Sequence, residues 1–489
     1  MITDYAFGDW LPDVVDYKNP GLEECANVIP APSGYSPVLS LIGRGASVTG
    51  TVIGAQGFEQ PSGGRIICVA TTTDIFVIVN DVVTASTLGL SLSGEDHYTF
   101  QQFGSSVYAT AKNGGTYYLP NVALDTAFVA ALGTPPKANA MGRLGDFLLM
   151  GNLIDIDVSE AVYRVRWSQF NNPAGTWGTD IATQAGAVDL HKDQGEVVAI
   201  AGGDFALVFQ KYGISRMTYT GGSAVFAKDL FESDRGCSAP ESVVRVGSLV
   251  YFLSHDGFFV TNGSEVTSIS RGKIWAWFSD TANPSRMFDV QGAVDWANRC
   301  IVWVFSDKNG TELNRQVYYN WETSRWTYAE QDMDYIILSD RDGATLESIA
   351  TDYPDIDLMD ISLDSPLFKA EGRAMLAIVG GEISEFTGAT LEARFELGSI
   401  QPATGRRTYV STVTPLIEDD AQSSLVTIGT RDLMTTSPVY STPVPLGPLG
   451  FAAVASDGRY HRIKVQIPSG SAWKDAYGVQ VDYSISGKF

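Results

Sequence analysis

Residues 290–328 read VQGAVDWANRCIVWVFSDKNGTELNRQVYYNWETSRWTY, and their pattern is typical of consecutive β-strands. Turn signals at 295–298, 307–310 and 322–324 separate segments that are rich in β-branched and aromatic residues. Short antiparallel strands that follow one another through tight turns form the blades of a β-propeller. This stretch therefore predicts one such blade.

Similar hairpin signals recur from about residue 46 to residue 345, which predicts a propeller of about six or seven irregular blades. No strict sequence repeat is visible, so the pattern does not indicate a WD40 or kelch array. A pair of stacked β-sandwiches would leave a similar pattern and stays open as the alternative fold. The predicted strand pairs are 65–70 with 75–79, 107–111 with 116–119, 147–150 with 162–167, 197–201 with 205–210, and 250–253 with 258–261.

The last unit is predicted to span residues 366–489. There, Ile463, Val465 and Ile467 alternate with polar side chains, and residues 479–483 show the same alternation. A period of two is typical of antiparallel strands with one buried face. The predicted fold class is therefore all-β, with a β-propeller and a smaller antiparallel β-sandwich-like C-terminal domain.

An acidic linker is predicted at residues 346–365, between these two domains. The close spacing of Asp355, Asp357 and Asp360 also suggests a calcium loop. An EF-hand loop needs a glycine at its sixth position and a glutamate at its twelfth, and neither is in register here. The sequence therefore favours a solvated linker over a cation site.

Helix signals are few. Residues 1–45 contain five prolines, which interrupt any long element. A short helix is predicted at 20–28, where proline and two glutamates suit the first turn. Two more are predicted at 122–132, which ends before a glycine, and at 271–278, where apolar side chains share one face.

The composition is that of a strongly acidic globular protein. The 489 residues include 33 Lys or Arg and 56 Asp or Glu, which gives a formal net charge of −23. Proteins that grip nucleic acid contact phosphates with Lys and Arg, so this charge argues against such a role. An acidic wall would instead repel DNA and let it pass, if the chain lines a conduit. Plain solubility is the alternative explanation.

No catalytic, cofactor or metal site is predicted. Cys25, Cys68, Cys237 and Cys300 form no CxxC pair and are expected to be buried thiols of a protein made in a reducing compartment. No H-E-x-x-H motif and no Cys/His cluster with metal-ligand spacing is present. The Ser-His-Asp run at 254–256 is rejected as a triad, because adjacent residues cannot align as nucleophile, base and orienter.

Two alternatives belong to other functional classes. The pairs Trp321 with Trp326 and Trp275 with Trp277 would stack on sugars in a receptor- or glycan-binding propeller, although packing between blades explains them more simply. A propeller glycosidase of the sialidase type would carry Asp-box turns, and residues 113–116 only partly match that pattern. The chain is predicted not to be an enzyme, with both alternatives kept open.

Several pieces of the chain, taken in order, resemble one known family. These pieces are Asn19-Pro20, Ala26-Asn27-Val28 with Pro30, Gly34-Tyr35, Pro37 with Ser40-Leu41, Arg166-Trp167-Ser168 with Trp177, Cys237-Ser238-Ala239-Pro240 with Gly257-Phe258, Tyr319-Asn320-Trp321 with Arg325-Trp326, and Gly458-Arg459-Tyr460 with Arg462, Trp473 and Gly478-Val479. Their order resembles the tail nozzle proteins of short-tailed bacteriophages, a group that includes tail tubular protein B-like and packaged-DNA stabilisation (head-completion) proteins. The resemblance covers most of the chain.

The resemblance implies a structural virion protein. In that family, six copies form a ring-shaped nozzle at the distal end of the tail, on a head-to-tail adaptor beneath the portal. The nozzle closes the DNA channel and allows genome ejection, and genomic DNA passes through the lumen without specific binding. Tail fibres or tailspikes are further expected partners. The expected location is the virion tail, after synthesis in the host cytoplasm.

The resemblance also implies that the N- and C-terminal segments together make the body that docks on the adaptor, with residues 1–45 as an extended N-terminal segment that docks on ring neighbours or on the adaptor. A segment poor in regular structure orders on its partner. Deleting residues 1–45 is therefore expected to abolish assembly and to leave the propeller folded. The candidate partner-contact residues are Tyr17, Asn19, Pro20, Gly21, Leu22, Asn27, Ile29, Pro30 and Tyr35.

No membrane anchor is expected. Residues 1–10 carry Asp4 and Asp9 and no basic residue, which is unlike a secretory signal peptide. No run of about 18 apolar residues is present, and a membrane-spanning helix needs a run of that length.

Overall fold

A computed structural model describes residues 1–16, 19–60, 64–340, 373–419 and 422–488. The chain is an all-β protein that combines a β-propeller with an antiparallel β-sandwich. Within the described residues, the propeller has seven blades, and each contains four antiparallel strands. The predicted fold class is therefore confirmed, and the blade count is at the upper end of the predicted range.

Six blades are continuous in sequence, and the first strand of each lies nearest the propeller axis. Blade 1 contains β6 (Val52–Glu59), β7 (Arg65–Thr71), β8 (Ile75–Val79) and β9 (Val82–Ala85); blade 2 contains β10 (Thr99–Phe103), β11 (Ser106–Ala111), β12 (Gly115–Leu119) and β13 (Val129–Ala130); blade 3 contains β14 (Lys137–Leu144), β15 (Phe147–Ile154), β16 (Ala161–Trp167) and β17 (Gly186–Asp189).

The next three blades follow in chain order. Blade 4 contains β18 (Val197–Ala201), β19 (Ala206–Gln210), β20 (Ile214–Tyr219) and β21 (Phe226–Glu232); blade 5 contains β22 (Val244–Val246), β23 (Leu249–Ser254), β24 (Gly257–Thr261) and β25 (Val266–Ser268); blade 6 contains β26 (Gln291–Asp295), β27 (Cys300–Phe305), β28 (Leu313–Asn320) and β29 (Arg325–Met333). A short helix, α1 (Trp275–Thr281), lies between blades 5 and 6.

Blade 7 joins two distant parts of the chain. Its inner strands are β30 (Tyr335–Asp340), β31 (Arg373–Val379) and β32 (Glu382–Thr390), and its outer strand is β5 (Leu39–Ser47). The β31–β32 turn is formed by two glycines at residues 380 and 381 with φ of +58° and +81°, which β-carbon-bearing residues rarely adopt. Pairing of β5 with β32 closes the ring of blades.

The observed domain boundaries differ from the predicted ones. The propeller extends over residues 39–390 rather than 46–345, because β5 and β30–β32 together form blade 7. The predicted acidic linker at 346–365, with its candidate calcium ligands, lies outside the described residues and falls between two strands of this blade. It is therefore not the boundary between the two domains.

The sandwich is made from both ends of the chain. Its strands are β1 (Ile2–Ala6), β2 (Leu22–Ala26), β3 (Val28–Pro30), β4 (Tyr35–Pro37), β33 (Ala393–Leu397), β34 (Arg406–Asp419), β35 (Leu425–Arg431), β36 (Val439–Tyr440), β37 (Val444–Pro445), β38 (Ala452–Gly458), β39 (Tyr460–Ile467) and β40 (Trp473–Lys488). One sheet has the order β3-β4-β40-β34-β38, with β1 also paired to β40; the other contains β2-β33-β39-β35-β36, with β37 also paired to β35. The predicted separate N-terminal segment is thus part of this domain.

A single ten-stranded sheet runs from blade 6 into the sandwich. The outer strand of blade 6, β29, pairs in parallel with β2 at Tyr328 and Ala26. The backbone N–H of Asn27 donates to the carbonyl of Tyr328 at 2.7 Å. The apolar core is likewise continuous, since one buried cluster contains Trp303 of blade 6 and Phe395 of the sandwich.

Two of the three predicted helices are wrong. Residues 20–28 form β2 and the start of β3, because Leu22 and Ala26 are buried and pair with β33. Residues 122–132 form turns and the short edge strand β13. The third prediction is confirmed as α1, which begins four residues later than expected and places Phe278 in the core.

Candidate functional site

A group of titratable side chains from four blades meets at the mouth of the propeller axis. His97 precedes the inner strand of blade 2, and Glu241 lies in the turn Pro240–Ser242 that precedes the inner strand of blade 5. These blades face each other across the ring. The imidazole Nδ1 of His97 lies 3.6 Å from the carboxylate Oε1 of Glu241, so the two side chains meet at the axis.

Two further groups complete this layer. The hydroxyl of Tyr335, the first residue of blade 7, donates to the carboxylate of Glu241. Asp289, just before blade 6, places Oδ1 3.9 Å from Nε2 of His97. Burial alone would lower the pKa of His97, but Glu241, Asp289 and Asp96 together raise it above its ordinary value. The protonated imidazole is thus favoured between the carboxylates.

Cavities lie on both sides of this layer. The outer one has a volume of about 320 Å³, and the one on the opposite side has about 340 Å³. His97 lines the first cavity, and Glu241 and Tyr335 line the second, so the layer borders both. The outer cavity is lined by carboxylate and amide side chains, namely Glu95, Asp96, Asn113, Asn139, Asn152 and Glu196.

Asn152 shows how the fold shapes this outer cavity. It is 3% exposed, has φ of +56°, and lies where the β15–β16 register shifts by a bulge. Bulges redirect side chains, and asparagine tolerates this left-handed conformation better than most residues. Its amide donates to Glu196 at 3.2 Å and accepts from Lys112 at 3.1 Å. The arrangement holds polar groups that suit a small hydroxylated ligand.

The structure agrees with the rejection of a sequential triad at 254–256. Oγ of Ser254 lies 3.4 Å from Nδ1 of His255, but the carboxylate of Asp256 pairs with Arg235 and Arg271 instead of orienting the histidine. Among the described residues, no group of three or more His, Cys, Asp and Glu side chains has a geometry that could hold a metal ion.

Of the tryptophans considered as sugar platforms, Trp326 is buried, and Trp275, Trp277 and Trp321 are half-buried against the core. Trp326 is 1% exposed and stacks on Trp303 at 5.9 Å between ring centroids. Trp277 lies edge-on to Trp10 at 4.7 Å, which links α1 to the N-terminal segment. These contacts favour the packing explanation. The four cysteines are buried, as predicted.

Most candidate partner-contact residues are enclosed by the chain's own sandwich. Leu22 and Tyr35 are fully buried, and Asn27 is 5% exposed. These side chains are therefore not available to a partner in this fold, which corrects their assignment. Gly21, Pro30 and Asn19 are also buried, Ile29 is half-buried, Pro20 is exposed, and Tyr17 lies outside the described residues.

One part of the candidate segment does reach the surface. Asn19, Pro20 and Gly21 line a groove of about 510 Å³ against residues 397–401, with Tyr5 on another wall. Asn19 is fixed there because its amide donates to the carbonyl of Leu11 at 3.2 Å. Three of the predicted contact residues therefore line a groove at the surface.

Sequence reasoning missed two features. The group around His97 is assembled from four blades, so no local motif marks it. The second is the exposure of three apolar side chains of the sandwich, Leu433, Val439 and Leu449, which are 57%, 74% and 81% exposed. Its available signal was the absence of charge: residues 433–456 contain no Asp, Glu, Lys or Arg.

No family model matches the sequence, and no curated protein matches it. Similar solved structures include the mitotic checkpoint complex (11% identity, 73% of this chain and 96% of that chain, TM-score 0.37), U3-55K (7%, 61% and 88%, 0.37) and streptogramin B lyase (8%, 71% and 97%, 0.41). At these similarities they carry no argument about function.

Among the helices of the described ranges, none combines the length and the apolar character that crossing a bilayer requires.

Proposed function

We propose that this chain is the subunit of a ring-shaped tail nozzle of a short-tailed bacteriophage, with six copies around a DNA channel. The observation that carries the proposal is the ten-stranded sheet shared by propeller and sandwich. Domains of one chain usually move relative to each other unless their interface is large and apolar. The shared sheet and the shared core should keep the two domains in a fixed relative orientation. Such rigidity suits a protein that must withstand the pressure of DNA packed inside a capsid.

The contacts across this seam are charged as well as apolar. Arg394 on β33 donates to Glu24 on β2 at 2.7 Å and to Glu330 on β29 at 3.0 Å. Lys464 on β39 also pairs with Glu24. The network therefore spans blade 6 and three strands of the sandwich. Such connected ion pairs resist bending more than isolated surface pairs do.

The DNA conduit in this proposal is the space enclosed by several copies. The axis of a single propeller is crossed by His97, Glu241 and Tyr335, and the cavities beside this layer hold only a few hundred Å³. Double-stranded DNA needs a far wider passage. The propellers would stand around the channel, and their surfaces would face the DNA.

The distribution of charge along the chain supports placing the propellers around the DNA channel. The two parts of the chain that form the sandwich, residues 1–38 and 391–489, contain 15 acidic and 10 basic residues, a net charge of −5, so −18 of the total of −23 belongs to residues 39–390. This acidic part would repel the phosphates of passing DNA, and the less acidic sandwich would let copies meet. The groove at Asn19, Pro20 and Gly21 is the proposed contact with the adaptor.

Negative-stain electron microscopy of the purified chain tests the proposal, alone and mixed with the adaptor–portal complex of its phage. We expect closed rings, or a plug at the narrow end of the portal assembly. A chain that stays monomeric and ignores the portal complex would overturn the proposal. The same grids with Pro20→Arg should show rings that no longer join the adaptor, if the groove is the docking surface.

A second candidate function is glycan binding at the mouth of the propeller axis. The observation that favours it is the amide-rich outer cavity, where Phe288, 44% exposed, forms part of the wall. Amides with an exposed aromatic ring suit hydroxyl groups and the apolar face of a sugar. A glycan array would test it: specific binding that Asn113→Ala abolishes would support this function, and no binding to any glycan would eliminate it.

A further inference from the structure

Strand β1 lies at an edge of the sandwich and uses only one side of its backbone. Met1 and Tyr483 form a hydrogen-bonded pair, because the amino group of Met1 donates to the carbonyl of Tyr483 at 2.7 Å and the N–H of Tyr483 donates back at 2.8 Å. Hydrogen-bonded and non-hydrogen-bonded pairs alternate along an antiparallel ladder. The backbone N–H and C=O groups of Ile2, Asp4 and Ala6 therefore point away from β40.

This free side of β1 is open to a further strand. Within the described ranges, β40 is the one strand that pairs with β1, and Ile2, Asp4 and Ala6 are exposed. Soluble proteins usually protect such an edge with a bulge, a lysine, a proline or a very short strand. β1 has five residues, no lysine or proline, and no register shift against β40. Its edge is therefore a regular one that an extended chain can continue.

Other edges of the described chain are protected. Apart from the inner strands of the blades, the described edge strands of similar or greater length are β5, β21 and β38. Each of these pairs with its neighbour through a register shift. Such a bulge bends a strand and disrupts the pairing of its edge. The missing protection is thus a particular property of β1.

The groove described above borders this edge. It has a volume of about 510 Å³ and is lined by Asp4 and Ala6 on β1 and by residues 397–401 at the end of β33. A strand added to β1 would lie ~4.8 Å from it, next to the groove. Pro20 and Gly21, which belong to the proposed adaptor contact, line the same groove.

The side chain at the centre of the edge is acidic. Asp4 forms no ion pair among the described residues, and its carboxylate accepts a hydrogen bond from the amide of Gln480 at 2.9 Å. Two β1 strands paired antiparallel through all three outward residues would place Asp4 opposite Asp4, and like charges in that position are destabilising. A lysine or arginine opposite Asp4 would be favourable. The edge therefore disfavours a second copy of this chain and suits a basic strand of another protein.

We propose that the adaptor binds by adding an extended segment to the free side of β1, with a lysine or arginine of that segment opposite Asp4. This inference rests on the proposed nozzle function and names the contact that joins the two proteins. In strand addition, main-chain hydrogen bonds supply the affinity and side chains supply the specificity. Since β1 pairs with β40 and β40 with β34, the added strand would continue a sheet of the sandwich.

A pair of proline variants of the full chain tests the backbone contact. Ala6→Pro removes an outward N–H at an edge position, where proline is compatible with a strand. Ala85→Pro is the matched control: Ala85 is exposed on β9, and its N–H points away from β8, because the N–H of the next residue, Ser86, donates to Ile75. Binding to the purified adaptor of the same phage is measured by biolayer interferometry. We expect Ala6→Pro to weaken binding at least about tenfold and Ala85→Pro to leave it unchanged.

Two further measurements do not depend on proline. Asp4→Lys should weaken adaptor binding more than Asp4→Asn does, because both variants keep the backbone and only the first repels a basic side chain. Hydrogen–deuterium exchange of the peptide 1–10 should slow when the adaptor is added.

The possible results separate the two proposals. Adaptor binding that Ala6→Pro and Asp4→Lys leave unchanged, or exchange of the peptide 1–10 that the adaptor does not slow, would overturn strand addition and leave the nozzle proposal standing. Self-association of the chain alone that slows this exchange would assign the edge to a second copy and overturn the adaptor as its occupant. A wild-type chain that neither binds the adaptor nor forms rings would overturn both.

Discussion

The side chain of Asn27 accepts a hydrogen bond from the backbone N–H of Glu330 at 2.8 Å. Its amide also donates to the carbonyl of Glu392 at 2.7 Å, so one buried side chain joins blade 6 to the segment that leads into β33. Asn27 has φ of +61°, a conformation that asparagine tolerates better than most residues. Asn27 was predicted to contact a partner, but its side chain instead joins two parts of its own chain.

Asn27→Ala should destabilise the protein by about 2–4 kcal/mol, because it leaves two buried partners unsatisfied and strains the backbone. Asn27→Gly should recover about 1 kcal/mol of this loss, since glycine accepts the positive φ. Chemical denaturation measures both. The control is Asn171→Ala, at an exposed asparagine with φ of +51°, where a loss of about 1 kcal/mol is expected from strain alone. Equal losses of unfolding free energy at both sites would show that the two hydrogen bonds of the Asn27 side chain contribute little to stability.

Deleting residues 1–45 should prevent folding of the whole chain, which reverses the expectation drawn from the sequence. The deletion removes most of β5 and leaves the outer edge of β32 unpaired, and it takes Phe7, Trp10 and Tyr35 out of the core. Circular dichroism and limited proteolysis would report the loss. Deleting only residues 1–5 is the control and should give a folded protein. A folded, protease-resistant propeller from the longer deletion would contradict the closure of blade 7 by β5.

Arg394→Met should weaken the seam between propeller and sandwich by about 1–3 kcal/mol, because Glu24 and Glu330 lose their shared partner. We expect one thermal transition for the wild type and two for Arg394→Met, because the domains would cease to unfold together. Arg299→Met is the matched control, since the Arg299–Glu322 pair is exposed and pairs of that kind contribute about 0–1 kcal/mol. A single, unshifted transition in Arg394→Met would count against a rigid seam.

His461 should make the protein less stable as the pH falls. It is fully buried between the two sheets of the sandwich, where Nε2 lies 2.8 Å from the hydroxyl of Thr408. Burial lowers its pKa below the ordinary value of 6.5, although Asp457 acts in the opposite direction. The unfolded chain therefore binds a proton more readily, so stability is lost as the pH falls from about 6.5 towards the lower folded value. Denaturation midpoints at pH 7.5 and 5.5 should differ less in His461→Gln than in the wild type.

His97 should have the opposite effect. Its folded pKa is raised by Glu241, Asp289 and Asp96, against the effect of burial. Its contribution to stability is therefore complete below about pH 6.5 and is lost as the pH rises through the higher folded value. His97→Gln should lower stability at pH 5.5 more than at pH 8. A uniform loss at both pH values would show that the imidazole at the axis carries no charge.

Local patterns predicted the blades well and their closure poorly. The strands at 300–305 and 313–320 are visible in the sequence because they pair with neighbours a few residues away. β5 and β32 cannot be matched in this way, since nothing local links Leu41 to Phe386. The same limit explains the helix wrongly predicted at 20–28, where pairing with β33 overrides local propensity.

The candidate contact residues were misplaced for a related reason. A proline-interrupted segment without periodicity suggests an irregular, exposed segment. In the structure, however, Leu22 and Tyr35 are buried in a core that they share with residues more than 350 positions later in the chain. The groups around His97 were equally hidden, because Glu241, Asp289 and Tyr335 come together only when the ring of blades closes.

The closure of blade 7 also has a consequence for folding during synthesis, because β5 must wait for β32 before it can pair. β5 leaves the ribosome early, but β32 follows only after several hundred further residues. At roughly 5–20 residues per second, the nascent chain carries this strand unpaired for on the order of half a minute. An unpaired strand edge is a site for aggregation. A truncated translation product lacks β32, so its β5 stays unpaired. Only chains translated past blade 7 can therefore complete the fold.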